Sequence, residues 1–242
     1  MSTEGHEITV SGVQVRVVHK AIKNLHLGVY PPNGRVRVAA PLAVGDAAVR
    51  LAVIGRLAWI KRQRAQFAAQ ERQSARELVS GESHYFLGRR YRLRVVEGDG
   101  PGRVTIVNRA TLELRVRCGS RTATRERVLQ RWYRECLREL ATPLIAKWEA
   151  ALRVRPVGWG VRKMKTQWGT CRADERRVWL NVELVKKPAP CLEYLIVHEL
   201  MHLIERHHTD RFVSLMDRYL PDWRLRRRAL NSAPLGHESW SY

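Results

Sequence analysis

The segment VHELMHLIERHH, Val197 to His208, gathers four of the chain's nine histidines into eleven positions and sets a glutamate directly after the first. His198 and His202 are four residues apart, so on a helix their rings leave the same side one turn apart and can hold a single ion. Glu199 falls at the angle from which a carboxylate reaches a metal-bound water without displacing it. A zinc ion acidifies such a water toward neutrality, and the glutamate takes its proton as it attacks a carbonyl. This is the H-E-x-x-H pattern, with Leu195, Ile196, Leu200 and Leu203 around it as a buried helix requires. The plainer alternative is a helix carrying two hydrogen-bonded histidines.

A catalytic zinc takes a third protein ligand and keeps one position open. On an unbroken helix His208 would lie about 15 Å along the axis from His198 and roughly 80° around it, out of reach. The spacing therefore predicts that the helix ends near Arg206 and that the chain bends back, with His208 in the first turn of a helix over TDRFVSLMDRYLPDW. His207 and Glu205 stay open as alternative ligands, and Glu205 could instead fix an imidazole from the second shell of contacts. The ten-residue interval also occurs in the longer H-E-x-x-H-x-x-G-x-x-H signature, but Glu205 stands at its glycine position, which predicts a different bend. Phe212 and Trp223 are expected to pack in the core.

The elements that must position these residues are legible upstream. GWGVRKMKTQWGTC, Gly158 to Cys171, and RRVWLN, Arg176 to Asn181, form a strand region before the histidine helix. A helix after Thr124 turns Leu129, Trp132, Tyr133, Cys136 and Leu140 toward the core. It sets Arg127, Arg131, Arg134 and Arg138 on a stripe, either a wet face partly paired with glutamates or a docking face for a polyanion. Nearer the start, VQVRVV and NGRVRVAAP alternate as strands do, joined through a turn at Tyr30 to Gly34. Asp46 is expected to cap one long helix with Val49, Val53, Leu57 and Ile60 on its apolar stripe. Tyr85 to Val116 adds further strands, broken at Gly98 to Gly102. No internal repeat is apparent, and the tail after Leu230 is expected to be loose. The fold class expected is α+β: a strand-rich region with one long helix over residues 1–120, then a helical and catalytic domain over residues 121–242.

WGTC from Trp168, the W-L-N of Trp179 to Asn181, YLIVHELMHL from Tyr194, and His208 followed by Phe212 together resemble the YgjP-like branch of the M48-type zinc metallopeptidases, related in shape to SprT-like proteases. GRVRVAAP, WIKRQR and GESHYFLGRRYRL extend the resemblance over nearly the whole chain. It implies a zincin-like core with a small antiparallel sheet over the H-E-x-x-H helix, one zinc ion held by His198, His202 and His208, and Glu199 as general base. Thr170 stands where the family usually has serine, and RADERRV is more charged than its usual hairpin. Family members are generally described as predicted hydrolases or peptidases, one bacterial relative as acting on uridine triphosphate, and SprT-like enzymes as degrading proteins attached to DNA.

Peptide hydrolysis is the leading expectation, with a polypeptide substrate extended along a sheet edge near Trp179 to Glu183. Lys165, Arg172 and Arg162 are the candidates for stabilising the oxyanion, and Trp159, Trp168 and Trp179 either line the cleft or pack in the core. Cys171 lacks a separate activating histidine, so a thiol nucleophile is disfavoured. One rival is a metal-dependent nucleoside triphosphate pyrophosphohydrolase, although no glycine-rich phosphate loop is present. Another is a non-catalytic zinc adaptor for nucleic acid or a restriction-modification complex, which would have no use for Glu199. The net charge of +21 makes DNA, or protein bound to it, a partner to consider through the basic surface. Four cysteines without a C-x-x-C pair, no signal-like start and no membrane-length apolar run lead to an expected cytoplasmic location.

Overall fold

The computed structural model describes residues 5–30, 34–69, 77–164 and 167–232. The turn expected at Pro31 to Asn33 and the tail beyond Ser232 lie outside them. The chain is α+β, and the described residues form two compact units, one before position 70 and one from position 77 onward. Among the described residues no helix is long and apolar enough to cross a membrane.

The first unit holds β1 (His6–Val10), β2 (Val13–Lys20), β3 (His26–Tyr30) and β4 (Arg35–Pro41), in the order β1-β2-β4-β3. β2 and β4 run parallel, and each has an antiparallel partner on its other side. Strand alternation sends Ile8, Val10, Val13, Val15, Val17, Val36 and Val38 to one face, where Val49, Val53 and Ile60 cover them. The long helix expected here is two, α1 (Asp46–Ile54) and α2 (Leu57–Ala69), interrupted at Gly55, the residue that gives up most backbone freedom in a helix. Nor is Asp46 the cap. Gly45 holds that position without a side-chain bond, and the Asp46 carboxylate instead meets the His6 ring at 2.9 Å.

The second unit begins with β5 (Ser83–Phe86), β6 (Arg89–Glu97), β7 (Arg103–Ile106) and β8 (Thr111–Val116), in the order β5-β6-β8-β7. Its central parallel pair again lies between two antiparallel pairs, and a helix again follows. Even the first turns agree. Ser11 and Gly12 have φ of 49° and 77°, and Leu87 and Gly88 have 49° and 78°, the paired positive angles of a type I′ hairpin. The chain therefore contains a structural repeat that its residues conceal, because Val13, Val15 and Val17 in one copy correspond to Arg89, Tyr91 and Leu93 in the other.

The second copy's hairpin tip supports the histidine helix. Leu87 and Gly88 donate their N–H groups to Val185 and Lys186, on the 3₁₀ turn Val182–Lys186, and a side chain at Gly88 would meet Pro188 at 2.9 Å. Helix α3 (Thr122–Leu152) buries Leu129, Tyr133, Leu137, Ala141, Ile145, Trp148 and Leu152 in a core shared with the β5–β8 sheet and with α4 (Ala189–Met201). Between them lie β9 (Gly158–Arg162), β10 (Gly169–Arg172) and β11 (Arg177–Asn181), in the order β10-β11-β9. This sheet is mixed rather than antiparallel as expected, since β11 runs parallel to β9. Helices α5 (Asp210–Tyr219) and α6 (Trp223–Ser232) complete the unit.

Glu193 ties three helices together. It accepts hydrogen bonds from Lys147 at 2.8 Å and Trp148 at 3.1 Å on α3, and from Arg226 at 2.6 Å on α6. Burial alone would raise its pKa, but these donors outweigh burial and hold it down at about 2. A depressed carboxylate pKa gives stability that is present above the unfolded value and is lost as pH falls toward the folded one. Glu193→Gln should therefore cost roughly 2–3 kcal/mol near neutrality. In urea denaturation followed across pH, the gap from the wild type should close between about pH 4.5 and 2.

Candidate metal centre

Pro188 is the N-cap of helix α4, and Pro190 stands in its first turn, a residue with no N–H to leave unsatisfied there. It ends at Met201, five residues earlier than the spacing predicts. His202 is its C-cap, and three turn bonds, from Leu203 to Leu200 and from Ile204 and Glu205 to Met201, begin the reversal. The Thr209 side chain then caps α5 by accepting from the Phe212 N–H at 3.3 Å. His208 thus stands immediately before the cap rather than within the helix.

This reversal brings His198, His202 and His208 together, with one nitrogen of each within 4.8 Å of the others. The Nε2 atoms of His198 and His208 are 3.0 Å apart, and the three ring centroids are separated by 4.8 to 4.9 Å. Phe212 forms the floor, its ring 4.8 to 5.1 Å from all three imidazoles. The sequence assigned it only to packing. His202 Nδ1 lies 3.2 Å from the Glu205 carbonyl, so its Nε2 is left for an ion. Glu205 therefore supports an imidazole through its backbone, while its carboxylate accepts from the His207 N–H at 3.4 Å. His207 lines the cleft but stands outside the three-ring cluster.

The donor set suits a metal. Burial first, then His202 and His208, push the His198 pKa down to about 3, and burial also lowers that of His202, so these rings present neutral nitrogens. Two ligand atoms each about 2.0–2.1 Å from one ion can stand 3 Å apart, and three imidazoles favour zinc among abundant divalent ions.

Glu199 is buried beneath β10 and lines the same cleft, whose volume is about 510 Å³. Burial pushes its carboxyl up to about 8, opposed by a hydrogen bond from the Cys171 backbone, and a cation bound beside it would oppose the shift further. Gly169 explains the first half of WGTC. A Cβ there would lie 2.7 Å from the Glu199 Oε1. Asn181 explains the end of WLN. Its buried amide donates to the carbonyls of Met164 and Gln167, each at 2.8 Å, and accepts from the Glu183 N–H at 3.2 Å. Its own N–H bonds the Trp168 carbonyl at 2.8 Å, so one residue fixes the approach to β10 from both sides.

The remaining candidates sort by position. Arg172 lines the cleft but pairs with Glu175 at 2.7 Å, and Arg206 pairs with both oxygens of Asp174 at 3.0 and 3.1 Å. Arg162 lies over the Trp179 ring at 5.0 Å, away from the cleft lining, and Lys165 is outside the described residues. Gln167 and Thr170 line the cleft, whereas Trp159, Trp168 and Trp179 pack beside it. Burial, then the Glu199 charge, raise the Cys171 thiol to about 11, which opposes a thiolate nucleophile. Trp223 is buried, stacked on Tyr194 and bonded to Asp217 at 2.7 Å.

Converging imidazoles beside a buried glutamate are the side chains of a metal-dependent hydrolase. The YgjP-like metallopeptidase domain matches residues 23–233, and the chain belongs to that family. Membership implies a bound metal, typically zinc, and polypeptide substrates. A comparison with curated proteins finds no match.

Gly169→Ala tests the packing of β10 on Glu199. The added Cβ would crowd the Oε1, Cγ and Cδ of the buried Glu199 at 2.7 to 3.0 Å, so that side chain must shift and Tm should fall, while metal content should not change. Cleavage of an unfolded polypeptide should fall roughly 10- to 100-fold, the cost of displacing a reacting group by about an ångström.

Proposed function

We propose that the protein is a zincin-like metallopeptidase in which His198, His202 and His208 hold one zinc ion and Glu199 is the general base. The observation that carries this reading is the approach of three imidazole nitrogens to within 4.8 Å in the cleft that Glu199 lines. When bound, zinc supplies a Lewis acid for the scissile carbonyl and lowers the pKa of water.

The chain's own residues do the rest. Glu199 takes the proton from the attacking water and passes it to the departing amine. Phe212 keeps solvent from beneath the rings, and the Glu205 carbonyl holds His202 in one tautomer. The substrate edge first expected at Trp179 to Glu183 is not available, because β11 is paired on both sides. Of the two edge strands, β9 and β10, it is β10 whose residues line the cleft, and an extended polypeptide would add to it, passing beside Thr170 and Gln167. Arg172 and Arg206, which a nucleotide hydrolase would need for phosphates, are each already paired with a carboxylate.

Two variants test these roles. Glu199→Gln should bind zinc at one equivalent by atomic absorption yet lose at least 100-fold in cleavage of an unfolded polypeptide. His208→Ala should weaken zinc binding in a chelator competition. Full zinc retention in that variant would move the third ligand to His207 or Glu205, and loss of metal from the glutamine variant would remove Glu199 as base.

A further inference from the structure

The two copies of the four-stranded module differ on the outward faces of their sheets. In the β5–β8 copy an acid sits at the centre of that face and pairs with two of its arginines, although Arg103 and Arg115 are register partners there. Glu113 accepts from Arg94 and, at 3.1 Å, from Arg115, while Arg92 has Thr111 as its register partner. Counted from the matching hairpin turns, Arg92, Arg94, Thr111 and Glu113 correspond to Arg16, Val18, Arg37 and Ala39. The first copy has alanine in place of the central acid, and it sets Arg16 directly beside Arg37. Like charges at such neighbouring positions cost stability.

Two further features sit on the same face. Arg35 follows two residues before Arg37 on β4, so both point outward, and their β3 register partners are Tyr30 and Gly28. The Tyr30 ring folds back over Gly28, where a Cβ would lie 2.7 Å from three of its atoms. Glycine thus allows a half-exposed aromatic ring to lie on the sheet among arginines. The described residues of this unit carry ten Lys and Arg against two acids. Of those acids, Asp46 meets His6, and Glu7 is the register partner of Arg16 on the edge strand.

We propose that the outward face of the β1–β4 sheet binds single-stranded nucleic acid, with Arg16, Arg35 and Arg37 on phosphates and Tyr30 stacked on a base. Phosphates would relieve the repulsion between Arg16 and Arg37 through charge-assisted hydrogen bonds. A sheet-borne aromatic takes any unpaired base on its face, which a duplex keeps stacked inside and an acidic peptide lacks.

Fluorescence anisotropy with a labelled oligothymidylate and the full chain tests this surface, which includes none of the residues assigned to hydrolysis. Arg16→Gln, Arg35→Gln and Arg37→Gln together should reduce the slope of log affinity against log salt by about 2. Tyr30→Ala should weaken oligothymidylate binding roughly 5- to 100-fold and leave any duplex binding unchanged. Arg37→Thr, the substitution that copies the second module, should raise Tm without the oligonucleotide while weakening its binding, which keeps the test decisive if the triple variant misfolds. Polypeptide cleavage should stay at the wild-type rate in all of them. An unchanged salt slope, or equal losses on duplex and single strand in Tyr30→Ala, would overturn the proposal.

Discussion

Neutral imidazole nitrogens crowded into a partly buried space repel through their lone pairs unless protons or a cation lie between them. The nitrogens of His198 and His208 stand 3.0 Å apart, and burial opposes protonating the first of them. A shared cation satisfies that arrangement, and much of the second unit serves to maintain it. α4 stops at Met201 so that the chain can turn, the Glu205 carbonyl fixes the second ring, and Thr209 caps the helix that follows the third. Phe212 touches all three rings, so the same residue that packs α5 also sets the depth of the site.

Opposite the histidines, β10 has two duties that compete for its backbone. It lies at the sheet edge, where an extended substrate could join it, and it also gives the Cys171 N–H to Glu199. Gly169 permits this close approach, and Asn181 holds the entering segment by its amide and its backbone together. An aspartate could not donate those bonds, and a longer amide would not fit the same spacing without moving the loop. WGTC and WLN are therefore parts of one support, joined through the register of Gly169 with Leu180.

The structural repeat gives one scaffold two different employments. In the second copy the hairpin tip braces the turn before α4, and the sheet shares its core with the histidine helix. The first copy keeps the topology and turn but carries a different surface, with Arg37 where the other has Thr111 and Ala39 where it has Glu113. Such a difference on a common frame is more telling than the total charge, since +21 spread over a surface specifies no partner.

By itself the sequence determined the α+β class, the histidine helix and the need for a break before His208, because these follow from residue type and helical period over short distances. It also marked WGTC and WLN as special without saying what they do. Tertiary structure decided the rest: which edge strand lines the cleft, that Phe212 underlies the rings, that Glu205 acts through its carbonyl, and that four strands and a helix occur twice. Those features depend on which distant segments pair and in what register, and many residue patterns satisfy one register. A valine and an arginine can each hold the same strand position, so the repeat survives in backbone geometry after it has faded from the residues.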